Sequence, residues 1–185
     1  LNAYMRLSGR VEMKAVEKTI QHLLREGFSY KYSGEAYAGL VYTSFQEAAT
    51  KISHQKTGKL AALQGDNNLS RICMNIAMDE GRHEAFYTEI MAEVFKQDPA
   101  GAVIAFRSMM QEGIDMPAKR MTDGRDINLF GHFASVAQRI GVYTARDYVE
   151  LTQHFLNRWK IPSLQVQGDA AKARDELCRL PAVYE

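Results

Sequence analysis

The sequence holds 185 residues, of which 46% are hydrophobic, 24% charged and 10% aromatic; this excludes disorder, collagen and low complexity, and the length is enough to bury a domain-sized core. Its 23 basic and 22 acidic residues leave a net charge of +1, so bulk electrostatics lend nothing to nucleic-acid binding. No apolar run approaches the ~20 residues a bilayer span needs, and Cys73 and Cys178 stand without CxxC spacing, against a disulfide scaffold or zinc knuckle.

The chain reads as all-α, with no clean period-2 runs and no hairpin turns between β-branched segments. Residues 14–26 carry Val16, Ile20, Leu23 and Leu24 at helical spacing, then Gly27 as a stop. Residues 28–36, rich in Ser, Gly and Tyr, read as a surface loop. A second helix runs over about 37–54 and a third over about 69–95, ending before Asp98-Pro99. Pro99 suits the first turn of a fourth, to about 111. A fifth covers about 128–140 and stops at Gly141. Thr144, with Asp147 three residues on, caps a sixth in a capping-box pattern, ending near 160. A last short helix covers about 170–179. All four prolines fall between the periodic stretches, as helices require.

The third helix carries an anomaly. Its apolar stripe, Ile72, Ile76, Glu80, His83, Tyr87, Ile90 and Val94, is spaced 4, 4, 3, 4, 3 and 4. Glu80 and His83 interrupt it, and an ionised carboxylate in a core is costly unless paired or metal-bound. Glu-x-x-His sets an oxygen and a nitrogen donor one turn apart, the geometry of di-iron carboxylate bundles, and this donor pair suits iron or manganese. A buried Glu–His hydrogen bond, or a surface pair on a misphased helix, explains the spacing equally. On the second helix Glu47 lies on the line Thr43, Glu47, Thr50, His54, which either borders a site or faces solvent. Glu150 and His154 read as a solvent-facing pair. His22 and His132 lack partners at ligand spacing and read as structural.

Five segments together carry a resemblance. They are Ser44-Phe45-Gln46-Glu47 with Thr50 and Ser53-His54; Asp79-Glu80-Gly81-Arg82-His83-Glu84; Met116-Pro117-Ala118; Asp123-Gly124-Arg125-Asp126; and His132-Phe133 through Gln138-Arg139 and Gly141 to Tyr143-Thr144. In this order and spacing the chain resembles the soluble acyl-[acyl-carrier-protein] desaturases over nearly its whole length. The resemblance implies a ferritin-like helical bundle, a homodimer, and two irons per subunit. It further implies an enzyme that uses O₂ and electrons from ferredoxin to place a cis double bond in a fatty acyl chain carried by acyl carrier protein. Residue by residue, it makes Glu47 a terminal iron ligand and Glu80 and His83 the second Glu-x-x-His pair, with Glu80 bridging. It makes Thr50 a threonine beside the oxygen-binding side and Asp79 a carboxylate that orients a histidine behind the ligands. Gly39, Leu40 and Tyr42 fall where the family lines its acyl channel.

The family pattern has a further Glu and a first Glu-x-x-His before the segment matching Leu1-Asn2, and the sequence opens on Leu rather than Met. The expectation is a C-terminal portion of a longer protein, a single helical domain over 1–185 holding half of the metal site. Ala48, Gly81, residues 111–113 and residues 30–36 depart from the family pattern. With no leader visible, a bacterial cytoplasm is the expected setting and a plastid stroma the alternative. Two other functions stay open beside desaturation: a ferritin-like protein that oxidises or holds iron without an acyl substrate, and a non-catalytic helical remnant.

Overall fold

A computed structural model of the chain describes residues 1–27, 35–114 and 116–184. Most of the loop expected over 28–36 lies outside them. The described residues form helices α1 (Asn2–Ser8), α2 (Met13–Glu26), α3 (Ala36–Leu63), α4 (Asn67–Gln97), α5 (Pro99–Glu112), α6 (Leu129–Arg139), α7 (Ala145–Arg158) and α8 (Gly168–Tyr184), with 3-10 turns at Pro117–Arg120 and Ile161–Ser163. No strand occurs among them, as the all-α expectation requires, and none of their helices is long and apolar enough to cross a membrane.

The stops and caps act where the sequence placed them. Gly27 adopts φ 66° and donates its N–H to Leu23 O at 3.1 Å, closing α2. Asp98 accepts the Gly101 N–H at 2.9 Å and Pro99 opens α5. Thr144 and Asp147 make both halves of a capping box.

Three boundaries differ. α3 continues past His54 to Leu63 through Gly58. A Cβ on Gly58 would stand 3.2 Å from Ser70 O and 3.3 Å from Cys73 Cβ, so close approach of α4, rather than a helix end, explains that glycine. Pro181 lies inside α8, contrary to the expectation that every proline separates helices; it falls in the last turn, where few backbone bonds remain to be lost. α1 went unpredicted because seven residues are too few to show a period.

The helices gather into two compact units, with α3 and α4 contributing to both. One comprises Leu1–Tyr30, Ile52–Ala77 and Asp115–Tyr143. There Asp66 caps α4 by accepting the Leu69 N–H at 3.0 Å, and it also receives the Tyr4 hydroxyl and Arg10. The hydrogen bond from Tyr4 and then that from Leu69 hold its carboxyl below the usual range. In the loop before α6, Asp123 accepts the N–H groups of Arg125 and Asp126, each at 2.9 Å. The turn brings Asp126 to 2.7 Å from His132 Nδ1, so His132 has a partner that helical spacing does not reveal.

The other unit comprises Lys31–Lys51, Met78–Ile114 and Thr144–Glu185. Its centre is aromatic. Phe155 is fully buried, with ring centroids 4.5 Å from Phe45 and 4.8 Å from Trp159, and Trp159 meets Phe106 edge-on at 5.2 Å. The indole N–H donates to Thr88 O at 3.2 Å, tying the end of α7 to α4. α8 packs against α5 and α7, burying Ala170, Ala173 and Leu177.

The buried side of α4 corrects the sequence reading. It consists of Cys73, Ala77, Glu84, Thr88, Met91 and Phe95, one position round from the expected stripe. Ile72, Ile76, Glu80, Tyr87 and Val94 are half-buried, whereas His83 and Ile90 are exposed. A four-three spacing fits two adjacent lines on one helix, and the buried line holds a glutamate and a threonine, which hid it from an apolar count. Truncating the aromatic centre should be severe: Phe155→Ala is expected to lose about 3–5 kcal/mol of unfolding free energy in urea titration.

Candidate metal centre

α3 presents Glu47 and α4 presents Glu80 and His83, three residues apart on the latter and so one turn apart. One ligand atom from each lies within 4.8 Å of those of the other two. His83 Nδ1 stands 3.2 Å from Glu47 Oε2 and 3.4 Å from Glu80 Oε2. Both glutamates keep only 20% of their side-chain exposure, whereas His83 keeps 56%. The group is thus walled by carboxylates on one side and open at the imidazole.

Its electrostatics follow from crowding. Burial, and then a hydrogen bond shared with Glu80, push the Glu47 carboxyl above its ordinary value against the pull of His83. The His83 imidazole is raised, first by its hydrogen bond to Glu47, although desolvation works the other way. Glu47 and His83 thus each hold a proton to higher pH than either would alone. Two oxygen donors and one nitrogen, converging from two helices, make a donor set that a hard or borderline divalent cation fits, and such an ion would displace those protons.

The remaining predicted residues take varied positions. Thr50 is half-buried one turn beyond Glu47, and its hydroxyl donates to the carbonyls of Gln46 and Glu47, both at 3.0 Å. Asp79 is 58% exposed and pairs with Arg82 rather than with His83. Gly39, Leu40 and Tyr42 are half-buried on the first turns of α3. A Cβ on Gly39 would meet nothing within 4 Å, so open space adjoins the helix there. Glu150 pairs with Arg146 at 2.8 Å and stays solvent-facing, as its spacing implied.

His154 turns elsewhere. Its Nε2 lies 3.6 Å from one oxygen of Glu84, while Lys51 Nζ lies 2.5 Å from the other. Burial pushes the Glu84 carboxyl up, but hydrogen bonds from His154 and Lys51 outweigh it and hold the carboxyl below the usual range. Sequence spacing offered no route to this cluster, whose members come from three helices.

The whole chain, residues 1–185, matches the family described as fatty acid desaturase. The chain belongs to that family. It is 51% identical over 183 residues to an acyl-[acyl-carrier-protein] desaturase, chloroplastic, of Cucumis sativus, covering 98% of this chain and 46% of that protein. It is 52% identical to stearoyl-[acyl-carrier-protein] 9-desaturase 4, chloroplastic, of Arabidopsis thaliana, over 98% of this chain and 45% of that protein. With the Ricinus communis stearoyl-[acyl-carrier-protein] 9-desaturase, chloroplastic, it shares 50% identity over 98% of this chain and 46% of the relative. The chain thus spans about half the length of the curated desaturases it matches. Their chloroplastic names overturn the expectation of a bacterial cytoplasm. That expectation rested on the first residues of this sequence, and a leader is a removable address independent of the fold.

The sign of the His83 shift sets a pH dependence. A raised imidazole stabilises the fold fully below its unfolded pKa of about 6.5 and loses that contribution as pH climbs through the raised folded value. Glu47→Gln removes the dominant cause, so the His83 imidazole should titrate at lower pH in the metal-free protein, as followed by proton NMR of the ring.

Proposed function

We propose that this chain carries one side of the di-iron centre of an acyl-[acyl-carrier-protein] desaturase, a homodimeric plastid enzyme. It would use O₂ and electrons from ferredoxin to introduce a cis double bond into a fatty acyl chain borne by acyl carrier protein. The observation that carries this reading is the convergence of Glu47, Glu80 and His83, within 4.8 Å of one another, in a member of the desaturase family. Bound iron would supply the oxidising power needed to remove hydrogen from an unactivated methylene.

The chain's own contributions are holding, orienting and excluding water. Glu47 and Glu80 would neutralise the cations with oxygen donors, and His83 would add a neutral nitrogen. The Thr50 hydroxyl is bonded back to the carbonyls of Gln46 and Glu47, and in this reading the same hydroxyl borders the oxygen-binding side. Asp79 would act from behind the ligands, through Arg82 and the turn of α4 that both share. Gly39 lies eight residues, and thus two turns, before Glu47 on α3. Gly39, Leu40 and Tyr42 would therefore align the acyl chain along α3 towards the ligands.

Three donors are too few for two irons, which in such bundles draw on four helices. The exposed imidazole of His83 is the side on which the remaining ligands would close the centre. We place them outside these 185 residues, which would then form the C-terminal portion of the bundle.

Metal titration and product analysis test the reading in the full-length protein. About two irons per subunit are expected, bound with proton release and more weakly as pH falls. Glu80→Ala and His83→Ala should each abolish iron binding and turnover while far-ultraviolet circular dichroism keeps its helical form. Gas chromatography of the acyl product formed with acyl carrier protein, reduced ferredoxin and O₂ should show a cis monoene. Turnover retained in either variant overturns the ligand assignment, and iron uptake without any monoene overturns the acyl substrate.

A further inference from the structure

Beside the candidate ligands lies a second contact between α3 and α4 that holds no ligand. Lys51 follows Glu47 by one turn, and its ammonium lies 2.5 Å from Glu84 Oε2. Glu84 is the residue after His83 and keeps 12% of its side-chain exposure. Its other oxygen is 3.6 Å from His154 on α7, so the carboxylate is held from two sides. The lysine stem reaches it across Gly81: a Cβ there would lie 3.6 Å from Lys51 Cδ, an ordinary packing distance. The stem thus packs on a turn of α4 that carries no side chain of its own.

The pairing pattern gives this bridge a mechanical meaning. Glu47 meets His83 while Lys51 meets Gly81, so residue numbers rise on α3 as they fall on α4 and the helices run antiparallel here. Against that register, the approach of Glu47 back to Glu80, ligand atoms within 4.8 Å, and the bond from Lys51 forward to Glu84 are opposite diagonals. Sliding one helix along the other shortens one diagonal and stretches the other. Neither contact alone fixes the register; the crossed pair does. A charge as buried as Glu84 also keeps its partner tightly, because losing one member strands the other.

We propose that Lys51 is a positioning residue for the metal centre, bracing α3 against α4 through Glu84 so that Glu47 is held at coordinating distance from Glu80 and His83 before an ion arrives. This rests on the iron-site reading above. Residues that support ligands from behind in this way are worth about 10–100-fold in metal affinity when altered.

The test is anaerobic Fe(II) binding by the full-length protein, measured by competition with a chromophoric chelator, alongside thermal unfolding of the metal-free form. Lys51→Met, which keeps the stem and removes the charge, should weaken Fe(II) binding by about 10–100-fold with helicity unchanged, and Lys51→Arg should recover most of the affinity. Unaltered Fe(II) affinity in folded Lys51→Met, even with a lowered unfolding midpoint, assigns the bridge to stability alone and overturns the proposal. Should Lys51→Met not fold, the double variant K51M/E84L removes the stranded charge with its partner and carries the same expectation. Failure of the unaltered protein to bind Fe(II) overturns the iron-site reading and this inference with it, and is seen before any variant is compared.

Discussion

Everything at the candidate centre depends on two carboxylates being pressed together beside an imidazole, against the carboxylates' mutual repulsion and their preference for water. Glu47 cannot approach Glu80 as an ion without cost, which is why burial and the neighbouring acid raise its carboxyl above the ordinary value. A cation relieves that tension. The protein's task is to keep the donors from drifting apart into solvent, and the aromatic centre of Phe45, Phe106, Phe155 and Trp159 supplies rigidity close by. Phe45 lies two residues before Glu47 on α3 and stacks against α7, so the packed face and the ligand face belong to the same turns.

Much of this was legible in the sequence because local chemistry wrote it there. Gly27, Asp98-Pro99 and the Thr144–Asp147 box end or begin helices through bonds spanning a few residues, and each is realised. The Glu-x-x-His spacing on α4 and the polar line through Glu47 on α3 likewise lead to the residues that meet. The phase of α4 was misjudged because Glu84 and Thr88, not apolar residues, lie on its buried line. The burial of Glu84 is compensated by Lys51 and His154, both remote in sequence, while the Thr88 hydroxyl is buried with no partner among the described residues. No periodicity signals such compensation, since each partner sits on a different helix. His132 and Asp126 show the same limit on a smaller scale, where a turn, not a helix, sets the contact.

The chain belongs to the fatty acid desaturase family, and the residues proposed to act in it follow one another along α3. Its first turns, with Gly39 beside open space, precede the turn bearing Glu47; the Lys51 turn follows. In the proposed reading, substrate alignment, metal holding and helix bracing follow one another along this one helix. The ring of His83 is the exposed edge of the group.

Trp159 is the only tryptophan in the sequence, and it is sealed between Phe95, Phe106 and Phe155 with its N–H committed to Thr88. Tryptophan emission from this chain therefore originates entirely within the unit that bears the candidate ligands. Its colour reports whether that interior is dry, and it stays silent about the other unit. Nature has left one lamp in the molecule, on the side where the chemistry is expected.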